Sequence, residues 1–162
     1  MDKQIRSRVS LLNPVHFLAL GFGSGLAAKM PGTFGTLAAL PLVVVLSLYS
    51  SFNIYLIVTI LSSVVGIWIC GKAADDMGVH DDSSIVWDEL AGMLITMLAV
   101  PLSWQTLLAG FVLFRFFDIL KPWPISYLDK HVHGGFGIMV DDVLAGLFAL
   151  ACIHLCIVFG WL

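Results

Sequence analysis

The stretch MPGTFGTLAALPLVVVLSLYSSFNIYLIVTILSSVVGIWICG, residues 30–71, contains no Asp, Glu, Lys or Arg. Its 42 residues would extend about 63 Å as a helix, enough to cross a ~30 Å hydrocarbon core twice. Ser50-Ser51-Phe52-Asn53 is the natural turn, and two crossings return the chain to its starting side. Two more charge-free stretches follow, 90–114 and 143–162, while the charged residues fall into three blocks, 2–29, 72–89 and 115–142. A charge at mid-bilayer costs roughly 2.5–3.5 kcal/mol even on the lenient insertion scale, so the charge-free stretches are the expected spans.

Composition points the same way. Of 162 residues, 59% are hydrophobic and only 12% charged, with a mean hydropathy of +0.98; soluble domains are about a quarter charged. The apolar runs are continuous rather than alternating, which excludes a closed β-barrel. A net charge of -3 argues against nucleic acid as a partner, because that would call for a basic stripe. Cys70, Cys152 and Cys156 lie in apolar runs without metal-ligand spacing. Lys3, Arg6 and Arg8 resemble the start of a signal peptide, but Asn13, Pro14 and His16 break the apolar run after them, so this segment is expected to remain as a basic interfacial start.

The expected fold is therefore all-α. It is a multi-pass membrane bundle in a single domain, 1–162, with 1–20 as the interfacial segment and 21–162 as the bundle. Stretch 143–162 suits one crossing. Stretch 90–114 fits a short hairpin turning at Pro101-Leu102-Ser103-Trp104 better than one span, since Pro101 would break a helix and Trp104 suits an interface. The hairpin arms would run over 84–100 and 104–120, giving about five membrane-embedded helices. All eight Lys and Arg then share one side, which the positive-inside rule makes cytoplasmic. Gly66, Gly92, Gly110, Gly146 and Ala149 would let helices approach closely. Nothing in the sequence sets an oligomeric state.

A shift of 53 residues aligns DMGVHDDSSIVWDE (76–89) with DKHVHGGFGIMVDD (129–142), matching Asp76/Asp129, Val79/Val132, His80/His133, Ile85/Ile138, Asp88/Asp141 and Glu89/Asp142. That suggests a helix–loop–helix unit used twice, each copy bringing one acidic pair to a shared centre.

The acidic pairs Asp88-Glu89 and Asp141-Asp142 carry the chemical argument. Each is expected at the start of an apolar helix, where one acid would be favoured by the helix dipole alone, by about 0.3–1 kcal/mol. Two adjacent acids exceed that need, and hard oxygen ligands suit Mg²⁺, one ion or two, with Mn²⁺ as a substitute. Arg115 and Asp118 share a helical face, either as a structural ion pair or as a phosphate contact beside a further metal ligand. Lys121 is either a snorkelling anchor or a phosphate contact. His80 and His133 are either ordinary loop histidines or proton donors to a leaving alkoxide. Gly32 and Thr33, in PGTFGT, offer a helix-start phosphate cradle, with tight helix packing an equal account.

The chain resembles the bacterial phosphatidylglycerophosphatase A family over roughly residues 13–146. The resemblance rests on GFGSGL (21–26), PGTFGT (31–36), DMGVHD (76–81) with IVWDE (85–89), FRFFDILKPWPI (114–125) and HGGFGIMVDD (133–142). It implies an all-helical fold and Mg²⁺-dependent removal of the terminal phosphate of phosphatidylglycerophosphate at the cytoplasmic face of the bacterial inner membrane. Lys29, Asp75 and Asp82 lie outside the motifs and receive no role. Attack by a metal-activated water is the expected mechanism, with Asp88, Glu89, Asp118, Asp141 and Asp142 as ligands, Arg115 and Lys121 on the phosphate, and a phospholipid in the bilayer as substrate. The alternative is a divalent-cation transporter using the same carboxylates, which would want acids at mid-span. The DxxDGxxAR run of CDP-alcohol phosphatidyltransferases and the PSGH of vanadium-peroxidase-like phosphatases are absent.

Overall fold

A computed structural model describes residues 7–79 and 81–162, so His80 lies outside the described residues. The described chain is helical, with no strand among the described residues: α1 (Pro14–Ala19), a 3-10 segment (Gly21–Leu26), α2 (Pro31–Tyr49), α3 (Phe52–Met77), α4 (Trp87–Thr96), α5 (Trp104–Leu120), α6 (Ile125–His131) and α7 (Gly134–Val158).

Local chemistry sets these limits. Asn13 caps α1, its side chain accepting from the Val15 N–H at 2.9 Å, with Pro14 in the first turn. Ser51 caps α3 directly after α2 ends at Ser50, so the turn falls where the two serines placed it. Gly78, at φ 72°, ends α3 in the left-handed conformation that glycine tolerates. Ser103 and Thr106 cap α5 reciprocally.

Three helices, α2, α3 and α7, are long and apolar enough to cross a membrane. Side chains such as Val45, Leu48, Ile57, Ile60, Val64, Trp68 and Leu155 point outward, and all are exposed. A surface of that kind suits lipid as its solvent.

Stretch 90–114 is two helices rather than one. Residues 97–103 reverse the chain, with Ala99 at φ 58°. The arms run antiparallel: Glu89 lies beside Arg115, and Gly110 packs on Met93 and Met97. The first arm is shorter than expected, because only Trp87–Thr96 is α-helical. At about 15 Å it cannot span a bilayer. Every residue from Glu89 to Thr96 is buried, since α2, α3, α5 and α7 pack around it. The five embedded helices of the sequence reading therefore resolve into three of spanning length, one 17-residue arm and one interior helix.

Glycines make this enclosure work. A Cβ on Gly146 would lie 2.6 Å from the Gly92 carbonyl oxygen, and one on Gly135 would lie 1.8 Å from that of Ile67. Thus α7 touches α4 and α3 backbone to backbone. The leading segment does the same to the loop before α4: a Cβ on Gly25 would sit 2.0 Å from the Ser84 carbonyl oxygen, and one on Gly35 would sit 2.6 Å from Val86 Cβ. The Val86 N–H donates to the Ala19 carbonyl at 2.8 Å, fixing that loop.

The polar ends meet. Gly32 at the start of α2 faces Glu89 and Arg115, Gly71 late in α3 meets Gly135 early in α7, and Lys121 after α5 pairs with Asp141. The opposite end, lined by Leu46, Ser50, Tyr55, Met97, Val100 and Pro101, carries no charge. The internal repeat does not extend to local structure. Asp76 lies in the last turn of the long α3 and Asp129 in the seven-residue α6, while Ile85 precedes α4 and Ile138 lies inside α7.

Gly146→Val should lower stability by about 1–3 kcal/mol through overpacking against backbone that cannot yield, whereas the lipid-facing Ile57→Ala should change it far less. Thermal unfolding in detergent checks this; equal midpoints for the two variants would show that the α4–α7 contact is not close-packed.

Candidate active site

The polar end gathers acids from three helices. Asp88 and Glu89 occupy the first turn of α4, where the helix dipole favours them. Asp141 and Asp142 are the eighth and ninth residues of α7, which begins at Gly134. The expectation that they start a helix is thus corrected. A dipole effect that fades within the first turn cannot account for two buried acids there, Asp141 being 8% and Asp142 2% exposed.

One carboxylate oxygen from each of Asp88, Glu89 and Asp142 lies within 4.8 Å of the other two. Gly92 allows this approach, because a Cβ there would come 2.9 Å from the Asp142 carbonyl oxygen. Asp118, on α5, is close enough to interact electrostatically with both Glu89 and Asp142. Arg115 sits between two acids, its Nη1 2.5 Å from Asp118 Oδ2 and 3.7 Å from Glu89 Oε1. Both residues of the expected Arg115–Asp118 pair are therefore in the cluster. Asp88 Oδ1, Glu89 Oε2, Asp141 Oδ1 and Arg115 Nε are buried with no hydrogen-bond partner among the described residues. Oxygen donors at this spacing, partly unpartnered, fit a hard divalent cation.

Lys121 ends α5 in the left-handed conformation, φ 42°. Its Nζ lies 2.5 Å from Asp129 Oδ1 and 2.6 Å from Asp141 Oδ2. Burial opposes its charge, but the two carboxylates outweigh that and hold the ammonium well above the usual lysine range. The adjacent acids of α7 are thus divided, Asp142 facing Asp88 and Glu89, and Asp141 facing Lys121. Asp81, Asp129, Val132, Gly137, Ile138 and Asp141 line a recess of about 60 Å³, and two of these acids, Asp129 and Asp141, are the partners of Lys121.

Gly32 touches the cluster: a Cβ there would lie 2.2 Å from Glu89 Oε1 and 3.0 Å from Arg115 Nη1. The Thr33 N–H is already donated to the Met30 carbonyl at 2.9 Å. Gly21, Gly25 and Gly35 face the loop before α4, as the packing account has it, and Gly23 lies against Leu11. His133 stands at the start of α7 and is exposed.

Two features escaped the sequence reading. Asp129 appeared there only as a repeat position, yet it pairs with Lys121 across the Pro-Trp-Pro turn. His16 is buried, its Nδ1 accepting from the Ser10 N–H at 3.1 Å and its Nε2 lying 3.2 Å from Asp76 Oδ2. Asp76 also pairs with Lys72. That network ties the leading segment to α3 and lies apart from the acid cluster.

Residues 17–157 match the model of the phosphatidylglycerophosphatase A family. The chain is 55% identical over 144 residues to a protein of Haemophilus influenzae named phosphatidylglycerophosphatase A, covering 88% of each chain. It is 47% identical over 150 residues to one of the same name from Escherichia coli, covering 92% of this chain and 87% of that one. No solved structure matches the chain.

Mutual repulsion in the cluster yields a stability prediction. In chelator-containing buffer, Asp142→Asn should unfold at a higher temperature than the unsubstituted protein, because it removes one of several crowded acids while keeping shape. At this chain length each kcal/mol is worth about 2–4 °C. A lower midpoint would mean that Asp142 is held by a favourable partner rather than by its neighbours' packing.

Proposed function

The chain belongs to the phosphatidylglycerophosphatase A family, and from that membership we propose how its residues dephosphorylate phosphatidylglycerophosphate to phosphatidylglycerol. The family match favours this activity over the divalent-cation transporter considered from the sequence. The observation that carries the mechanism is the convergence of Asp88, Glu89 and Asp142, with carboxylate oxygens left unpartnered in a buried site.

Asp88, Glu89 and Asp142 hold Mg²⁺, or Mn²⁺ in its place, with Asp118 and Asp141 completing the acidic surround. When bound, such an ion neutralises phosphoryl charge and makes a coordinated water a stronger nucleophile near neutral pH. Arg115, with an N–H not committed to any partner, receives a non-bridging phosphate oxygen. Lys121 contributes a fixed positive charge on the side of Asp141. Gly32 keeps the start of α2 clear of side-chain bulk, so that Glu89 and Arg115 pack directly against it. In the reaction the water oxygen forms the new P–O bond, the bond to the glycerol oxygen breaks, and that oxygen takes a proton. His133 or His80 supplies it.

The lipid substrate suits the placement of the site. Asp142 lies about 12 Å along α7 from its first residue, at 1.5 Å per residue. The acyl chains therefore stay in the bilayer while the head group reaches the acids. Among the described residues Arg8, Lys29, Lys72, Arg115, Lys121 and Lys130 all fall at this end or in the segments leading to it. By the positive-inside rule this end faces the cytoplasm, which supports a site at the cytoplasmic face of the bacterial inner membrane.

Purified protein should release phosphate from phosphatidylglycerophosphate with Mg²⁺ and lose this activity in chelator. Asp88→Asn and Asp142→Asn should each reduce it about 10²-fold or more, a loss comparable to removing a preorganised charge-stabilising group. Release untouched by chelator and by both substitutions would rule out this site. For orientation, a cysteine placed at position 82 should be labelled from the cytoplasm and one at position 51 from the opposite side. The reverse pattern would overturn the cytoplasmic assignment.

A further inference from the structure

We infer that the Lys121 ammonium fills the second cation position of the acid cluster, so that the protein works with one divalent ion. This rests on the proposed ion at Asp88, Glu89 and Asp142. In two-metal phosphoryl-transfer sites the ions stand about 3.5–4 Å apart and draw on neighbouring carboxylates. The chain has the acids for such a pair. Asp141 directly precedes Asp142 and turns to its own recess of about 60 Å³, which Asp81 and Asp129 also line. Asp141 is 8% exposed, and its Oδ1 has no hydrogen-bond partner among the described residues.

A positive charge already stands at that recess. Lys121 Nζ lies 2.6 Å from Asp141 Oδ2 and 2.5 Å from Asp129 Oδ1, acids supplied by different helices, α7 and α6. A lysine that merely snorkels would extend its ammonium into water. This one is 29% exposed and bridges two carboxylates. The backbone delivers it there: α5 stops at Lys121 in the left-handed conformation, immediately before Pro122. An ammonium has three N–H donors, and with two committed to Asp129 and Asp141 one is left for a phosphate oxygen. The lysine thus supplies the second ion's charge and one of its contacts. It cannot activate water as a metal does, and that task falls wholly to the single ion.

The test counts ions in the full-length protein, solubilised in detergent and stripped by chelator, with Mn²⁺ as probe. Equilibrium binding should give one Mn²⁺ per chain, with the six-line spin-resonance spectrum of an isolated ion. Lys121→Met removes the charge held on Asp129 and Asp141 and should raise the count to two. Lys121→Arg keeps the charge and should stay at one, and Asp142→Asn should lose the ion of the unsubstituted protein. Two ions in the unsubstituted protein would overturn the inference while leaving the proposed metal site intact. So would a single ion in Lys121→Met when thermal unfolding shows that variant folded. If Lys121→Met does not fold, Lys121→Gln makes the same measurement with a polar replacement. No Mn²⁺ bound to the unsubstituted protein would remove the proposed metal site, and this inference with it.

Discussion

Five carboxylates, those of Asp88, Glu89, Asp118, Asp141 and Asp142, are crowded at one end of an apolar bundle with two cationic side chains among them. Burying charge is costly unless it is paired. Arg115 is committed to Asp118 and Glu89, and Lys121 to Asp129 and Asp141. Asp88 and Asp142 are left without a cationic partner among the described residues. A purely structural role would have let these two acids drift to water or be replaced by apolar side chains. The fold instead presses them together, so its stability is tied to whatever positive charge enters the gap.

Holding such a cluster requires backbone elements that neither yield nor leave room. The interior helix α4 meets this need by being too short to face lipid and too enclosed to move. Its entry loop is gripped by Gly25, Gly35 and the Val86–Ala19 hydrogen bond, and its exposed-looking length is sheathed by four helices. The two glycine-rich motifs near the N-terminus thereby act at a distance. They position Asp88 and Glu89 by setting the loop before them, and Gly32 alone among their glycines reaches the acids. On the far side Gly92 and Gly146 bring α7 near enough for Asp142 to join. Small residues at helix contacts are a common means of close approach in membranes. Here that approach fixes the spacing of acids.

Much of this was legible in the sequence, and the reasons are specific. Charge-free length fixed the two crossings of 30–71, Ser50-Ser51 marked the turn between them, and Pro101 betrayed the hairpin. The acid pairs stood out because ionisable residues at a membrane edge have few structural uses. The interior position of α4 was not legible, since a continuous apolar run reads the same whether its neighbours are lipid tails or other helices. Nor was the depth of Asp141 and Asp142 in α7: the glycines before them lie in the first helical turns, and Gly135 among them packs against α3. The Lys121–Asp129 pair depends on how α6 docks after Pro-Trp-Pro, and no local pattern encodes that.

The split between Asp141 and Asp142 shows why adjacent acids occur here at all. Neighbours on a helix diverge by about 100°, so a consecutive pair need not face one site with equal geometry, and the two doublets use that freedom differently. On α7 the second acid faces Asp88 and Glu89, and the first faces an ammonium fixed to the chain. The pair thus sets an acid with no cationic partner among the described residues one backbone step from an acid held by a permanent charge. On α4 the same adjacency is used differently: Glu89 leans on Arg115, and Asp88 keeps an oxygen without a partner. Each doublet therefore combines one acid neutralised from within the chain and one whose charge remains to be met. That is the arrangement expected where a phosphate must be drawn in against a strongly negative surround.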